Sequence, residues 1–146
     1  MRKVNRTIRF RGKVKNDGTG ESIHGDGWVY GGCIIRDADD VTDGGCYIIT
    51  GSLYHVGNAN HVEPDSVGQY TGLHDKNGKD IYEGDILSGM FLFSLPIKGT
   101  VVFRDGAFGV ETKRGDITDF TAFTSICNID WEIIGNVIDG VGNDDG

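Results

Sequence analysis

An all-β fold is predicted for this chain of 146 residues, and three features predict it. Short aromatic and β-branched runs recur along its length, divided by turn residues. Glycine is abundant at 24 residues and proline scarce at 2, a balance that favours frequent turns and bulges over an extended linker. Only one stretch, Asp119 to Ile126, reads as a short helix. The expected arrangement is a small barrel-like or sandwich set of short antiparallel strands with at most one short helix. A hydrophobic share of 38% supports a modest core. The organisation is therefore one domain over residues 1–138, or two small lobes of about 1–66 and 67–138, followed by a flexible acidic tail at 139–146.

Each element follows from local pattern. Thr7 to Lys13 alternates, with Ile8 and Phe10 on one face and Arg9 and Arg11 on the other, which predicts a half-buried strand. Asn16 to Gly27 is rich in Gly, Asp, Asn and Ser and reads as a loop. Trp28 to Arg36 and Cys46 to Tyr54 read as an antiparallel pair around an acidic turn. Gly57 to Ser66 reads as loop, with Pro64 ending any strand. Asn77-Gly78 is a strong hairpin signal, and it predicts a type I′ turn because both residue types accept positive φ. A sharp bend is expected at Glu83-Gly84-Asp85. Phe91 to Leu95 reads as a short strand stopped by Pro96. Gly99 to Phe103 and Ala107 to Thr112 form a hairpin around Asp105-Gly106. Trp131 to Ile138 is the last strand, and Gly140 to Gly146 is polar and expected to fray.

The stretch from Val67 through Gln69-Tyr70-Thr71-Gly72-Leu73-His74-Asp75-Lys76-Asn77-Gly78-Lys79-Asp80-Ile81-Tyr82-Glu83-Gly84-Asp85 to Leu87 resembles the core motif of the YopX family of bacteriophage and prophage proteins. Further blocks resemble the family in the same order. They are Arg9-Phe10-Arg11-Gly12-Lys13, Trp28-Val29-Tyr30-Gly31, Val62-Glu63-Pro64-Asp65-Ser66, Val102-Phe103 with Gly106-Ala107-Phe108, and Glu132-Ile133-Ile134-Gly135-Asn136-Val137. Together they span most of the chain. The join from Asn16 to Gly27 is longer than usual, and the loop from Asp37 to Gly45 is unusually acidic. The resemblance implies an all-β, barrel-like fold and an accessory protein of the infected cell's cytoplasm. It implies no particular activity.

Composition narrows the chemistry. No apolar run approaches the length of a membrane span, and no apolar stretch follows the N-terminal charges as a secretory signal requires. In a reducing compartment Cys33, Cys46 and Cys127 are expected as buried free thiols, with Cys33 and Cys46 able to face each other across a hairpin. His24, His55, His61 and His74 lack zinc-ligand spacing, and no Cys-x-x-Cys unit exists, so no metal is expected. The acidic run from Asp37 to Gly44 places Val41 and Thr42 where a calcium loop needs a ligand and glycine. Gly-x-Gly pairs occur without a strand-to-helix context or a phosphate-binding lysine, so no cofactor is expected. No nucleophile stands in a recognisable setting. Asp75, Asp80, Glu83 and Asp85 cluster near tight turns, where carboxylates usually accept backbone N–H groups rather than run acid–base chemistry.

Two surfaces remain. In the reading that explains most residue types, Gly72, Gly78 and Gly84 permit the turns of the signature and Tyr70, Leu73, Ile81, Tyr82 and Ile86 build its core. In the competing one Gln69, Tyr70, Thr71, Tyr82, Glu83 and Asp85 form a candidate binding surface, with Gln69 and Thr71 the first candidates because the core reading explains them least. The N-terminal arm carries Arg2, Lys3, Arg6, Arg9 and Arg11 as candidate phosphate contacts. Beyond Lys15 the chain holds seven basic and 22 acidic residues, a net of −15, which would repel a duplex and suits a basic partner. The leading expectation is a non-enzymatic protein-interaction module, oligomeric, binding a host or phage protein. The alternative is a nucleic-acid-binding protein using its basic arm, and the minor one is an enzyme or small-molecule-binding protein.

Overall fold

The computed structural model describes residues 6–15, 25–36, 45–51, 57–91, 95–126 and 129–142. It is all-β, with thirteen strands in three antiparallel sheets among these residues and no closed barrel. The strands are β1 Phe10–Lys13, β2 Trp28–Gly31, β3 Cys33–Arg36, β4 Cys46–Ile49, β5 Ala59–Val62, β6 Gly68–His74, β7 Asp80–Tyr82, β8 Asp85–Phe91, β9 Leu95–Arg104, β10 Ala107–Arg114, β11 Ile117–Ala122, β12 Glu132–Asn136 and β13 Gly140–Val141. Two single-turn 3₁₀ segments, Pro64–Ser66 and Phe123–Ser125, are the only helical pieces described. The chain divides into two compact units, Met1–Tyr70 and Thr71–Gly146.

In the first unit β1 is flanked by β2 and by the start of β6, with Phe10 opposite both Gly31 and Gln69. A second sheet runs β3-β4-β5. Val29, Cys46, Ile48 and Val62 form the core, with Phe10, Val14, Ile34 and Val67 packed on it. The expected strand from Trp28 to Arg36 is in fact two, because the chain leaves the β1 sheet at Gly32 and only Cys33–Arg36 pairs with β4. Ala59–Val62 is a strand rather than loop: the free edge of β4 captures it, and the Asn60 amide donates to the Ile48 carbonyl at 3.1 Å. Cys33 and Cys46 do not face each other. Their register partners are Ile49 and Arg36, at opposite ends of the ladder, and Cys33 is exposed while Cys46 is buried. Burial pushes the Cys46 thiol above its ordinary pKa. Cys127 and the acidic loop from Asp37 to Gly44 lie outside the described residues.

The second unit is built on a six-stranded sheet in the order β11-β10-β9-β8-β12-β13. Its core joins Ile81, Leu87, Val101, Val110, Phe123, Ile126, Ile129 and Trp131. Removing each such aliphatic side chain from water contributes about 1.5–3 kcal/mol. Pro96 does not stop a strand. It lies within β9 opposite Met90, beyond the Thr100–Arg104 stretch that pairs with β10, so only β8 flanks it and no ladder loses a central N–H. The stretch expected as a short helix is β11 followed by the 3₁₀ turn at Phe123–Ser125, because pairing with β10 from Gly109 to Arg114 overrides weak local preference. Gly140–Val141, in the segment expected to fray, pairs with Gly135 and Asn136.

Two hairpins of this unit carry Asx-Gly pairs. At Asp105-Gly106 both residues have positive φ, 51° and 81°, and the two-residue connection joins the Arg104–Ala107 pair as a type I′ turn does. At Asn77-Gly78 only Gly78 does, at 79°. The predicted type I′ turn is therefore replaced by a longer loop. Gly78 N–H donates to the Asp75 carbonyl at 3.0 Å and Asp75 N–H to the Lys79 carbonyl at 2.8 Å, the pattern of a type I turn followed by a left-handed residue. The cause is Asp75, whose Oδ1 accepts the N–H groups of Asn77 at 2.8 Å and Lys79 at 2.9 Å.

Candidate binding cleft

The candidate site lies wholly within the second unit and is assembled from three segments. The signature hairpin supplies Thr71, Leu73, His74 and Ile81. The β9–β10 turn supplies Gly106, Ala107 and Phe108. The chain between β11 and β12 supplies Phe123, Thr124, Ile126, Ile129 and Trp131. They enclose a cleft of about 520 Å³, within the range of small-ligand and side-chain pockets.

Hydrogen bonds fix these walls. The Thr71 hydroxyl donates to the Ile81 carbonyl at 2.8 Å and accepts the Leu73 N–H at 3.1 Å, stapling β6 to β7. His74 Nε2 lies 2.9 Å from Asp80 Oδ1 across the same pair of strands. The hairpin tip is tied to the Trp131 segment by three contacts. Lys76 N–H donates to the Trp131 carbonyl at 2.7 Å, Ile133 N–H donates to Asp75 Oδ2 at 3.1 Å, and Lys76 Nζ pairs with Glu132 at 2.9 Å. Burial alone would push the Asp75 carboxyl up. The N–H donors of Lys79, Ile133 and Asn77, with the Lys79 charge, outweigh burial and hold it below its ordinary value.

Trp131 is 6% exposed. Its Cε3–Cζ3 edge rests over Gly89, where a Cβ would stand 2.7 Å from Ile129 Cγ2 and 2.9 Å from Trp131 Cε3. A side chain at 89 would displace the indole, which is why the strand carries glycine there. Among the described residues the Trp131 indole N–H meets no hydrogen-bond acceptor. Such buried donors are uncommon, since leaving one unpaired costs about 1–3 kcal/mol.

The residues singled out from sequence are distributed differently from a single surface. Gln69 and Tyr70 belong to the first unit, and Tyr70 is buried. Thr71 is the one that lines the cleft. Tyr82 and Asp85 are buried, and Asp85 Oδ2 accepts the Tyr82 N–H at 2.8 Å across the bend at Gly84, whose φ is 87°. Glu83 is half-buried in that bend. Asp75 and Asp85 thus serve as backbone acceptors, as carboxylates at tight turns commonly do. The missed residues are Leu73 and His74 of the signature, Ala107 and Phe108 of the Gly106-Ala107-Phe108 block, and Thr124 and Trp131, which belong to no motif; the three groups are distant in sequence. In the arm, the Arg11 guanidinium is buried 4.7 Å from the Trp28 ring centroid, Lys13 Nζ lies 5.4 Å from the same ring, and Arg9 lies 5.7 Å from Tyr70. These are cation–π distances. Arg6 is exposed, and Arg2 and Lys3 lie outside the described residues.

The described residues contain no group of three or more His, Cys, Asp or Glu placed to hold a metal ion, and no helix long and apolar enough to cross a membrane.

What fold and site define is a small all-β protein whose second unit carries an apolar cleft walled by a glycine-rich hairpin. A family model described as YopX protein matches residues 37–140, and the chain belongs to that family. Membership marks a phage-type protein. No curated protein matches the chain.

Proposed function

We propose that this protein is a non-enzymatic interaction module that grips a protein partner through the cleft of its second unit. The observation that carries the reading is that the signature spends its side chains on building that cleft. Thr71, Leu73, His74 and Ile81 line it, while Asp75 and Asp85 brace the turns beneath it. Leu73 stands 42% exposed at its wall. Of the four carboxylates near the signature turns, Asp75 and Asp85 are engaged by backbone donors, which weighs against acid–base chemistry at those two. Arg9, Arg11 and Lys13 lie on aromatic rings of their own unit, which favours a structural role over phosphate contact for these three.

The test is affinity capture of a defined protein from nuclease-treated host lysate by the full chain and by two variants, Leu73→Glu and Thr124→Phe. The reading expects one protein held by the parent chain and lost by both variants while their circular dichroism is unchanged. A protein held equally by all three overturns it. Material lost on nuclease treatment would instead move the activity to the basic arm.

A further inference from the structure

Resting on that reading, we infer that the cleft receives an apolar, ring-sized side chain of the partner, presented beside a basic residue. Two independent observations point to this occupant.

The first is shape and lining. The cleft of about 520 Å³ exceeds what one leucine fills, and its walls offer Phe108, Phe123 and Trp131 as aromatic faces. Such walls favour an aromatic guest, since ring pairs add about 0.5–1.5 kcal/mol beyond area burial. The second is charge. Among the described residues the lining includes no Lys, Arg, Asp or Glu, and its one ionisable member, His74, is held by Asp80. The exposed carboxylates of Asp105 and Asp130 adjoin lining residues in sequence: Asp105 precedes Gly106, and Asp130 lies between Ile129 and Trp131. From residue 71 onward the chain has thirteen acidic and six basic residues, a net of −7. An apolar anchor beside a cation is therefore drawn to this rim, and one beside a carboxylate is repelled.

The chain has two tryptophans, Trp28 in the first unit and Trp131 in the second, so ¹⁵N-labelled full-length protein has two indole N–H resonances. Acetylated, amidated pentapeptides Gly-Arg-Trp-Arg-Gly, Gly-Glu-Trp-Glu-Gly and Gly-Arg-Ser-Arg-Gly are titrated in turn. The arginine–tryptophan peptide should shift the Trp131 resonance saturably and leave that of Trp28 in place. It should bind about tenfold more tightly than its glutamate counterpart at low salt. The serine peptide should produce no shift. Thr124→Phe and Leu73→Glu should abolish the response while the Trp28 signal reports an intact first unit and the remaining amide signals a folded second one.

Equal binding of the two tryptophan peptides overturns the charge selection. A Trp131 resonance unmoved by every peptide, or moved equally in both variants, overturns the inference as a whole. A Trp131 shift that grows with protein concentration alone assigns the cleft to a second copy of this chain and likewise overturns it. If the peptides fail while the captured protein is still lost by both variants, the occupant is wrong and the interaction reading stands. If capture is indifferent to both variants, the reading itself fails.

Discussion

The two hairpins that border the cleft use nearly the same letters and close in different ways. Asp105-Gly106 turns the chain with its own φ angles, and nothing beyond the two residues is needed. Asn77-Gly78 has one left-handed residue and is closed by Asp75, whose two carboxylate oxygens reach Asn77, Lys79 and, across to β12, Ile133. One turn is local. The other is a tertiary fastening that also sets where the Trp131 segment lies. An Asx-Gly pair therefore announces a hairpin without announcing the kind, and an aspartate two residues upstream can change the outcome.

The comparison can be broken at its strongest point first. Asp75→Ala leaves three backbone donors without an acceptor and should lower the unfolding free energy of the second unit by about 3–5 kcal/mol, read from urea denaturation. An effect under about 1 kcal/mol would mean the loop closes without its carboxylate. Next comes pH. The Asp75 carboxyl titrates below its ordinary value in the folded protein, so its contribution is present above the unfolded pKa and is lost as pH falls through the folded one. Asp75→Asn should remove that acid-side loss, and the gap in stability between parent and variant should narrow below about pH 4. A constant gap down to pH 2 would assign the acid sensitivity to another group.

Smaller effects sharpen the contrast between the turns. Gly106→Ala and Gly78→Ala each place a Cβ at positive φ and should cost about 1–2 kcal/mol in thermal or urea unfolding. Asp105→Ala should cost about 1 kcal/mol, because the short polar side chain of aspartate tolerates the left-handed region better than alanine does. Asn77→Ala should cost less than about 0.5 kcal/mol, because Asn77 is not left-handed and gives its N–H, not its side chain, to Asp75. Equal losses at Asp105 and Asn77 would mean that the two turns are alike after all.

How much of this the sequence disclosed follows from where each cause lies. The β class, the bend at Gly84 and the Asp105-Gly106 hairpin were legible because turn residues and short apolar runs determine them locally. The strand at Ala59–Val62, the passage of β9 through Pro96 and the strand state of Ile117–Ala122 were not, because each depends on which strand happens to flank it. The site was half legible. The signature named Thr71 and pointed to its own hairpin, but the aromatic wall comes from Phe108, Phe123 and Trp131, which only the sheet order brings to the same place. Tyr70 and Tyr82 are buried, as the reading of them as core residues requires, and Asp85 accepts a neighbouring N–H, as a carboxylate at a tight turn does.

Gly89 touches the cleft nowhere, yet it acts as a depth gauge for it. The indole of Trp131 can settle against β8 only because that strand presents bare backbone at this point. Adding a single methyl there would push the ring toward the opening and shorten the recess, with every lining side chain unchanged. Tuning the size of guest that this scaffold admits is thus a matter of one atom on the far side of a tryptophan.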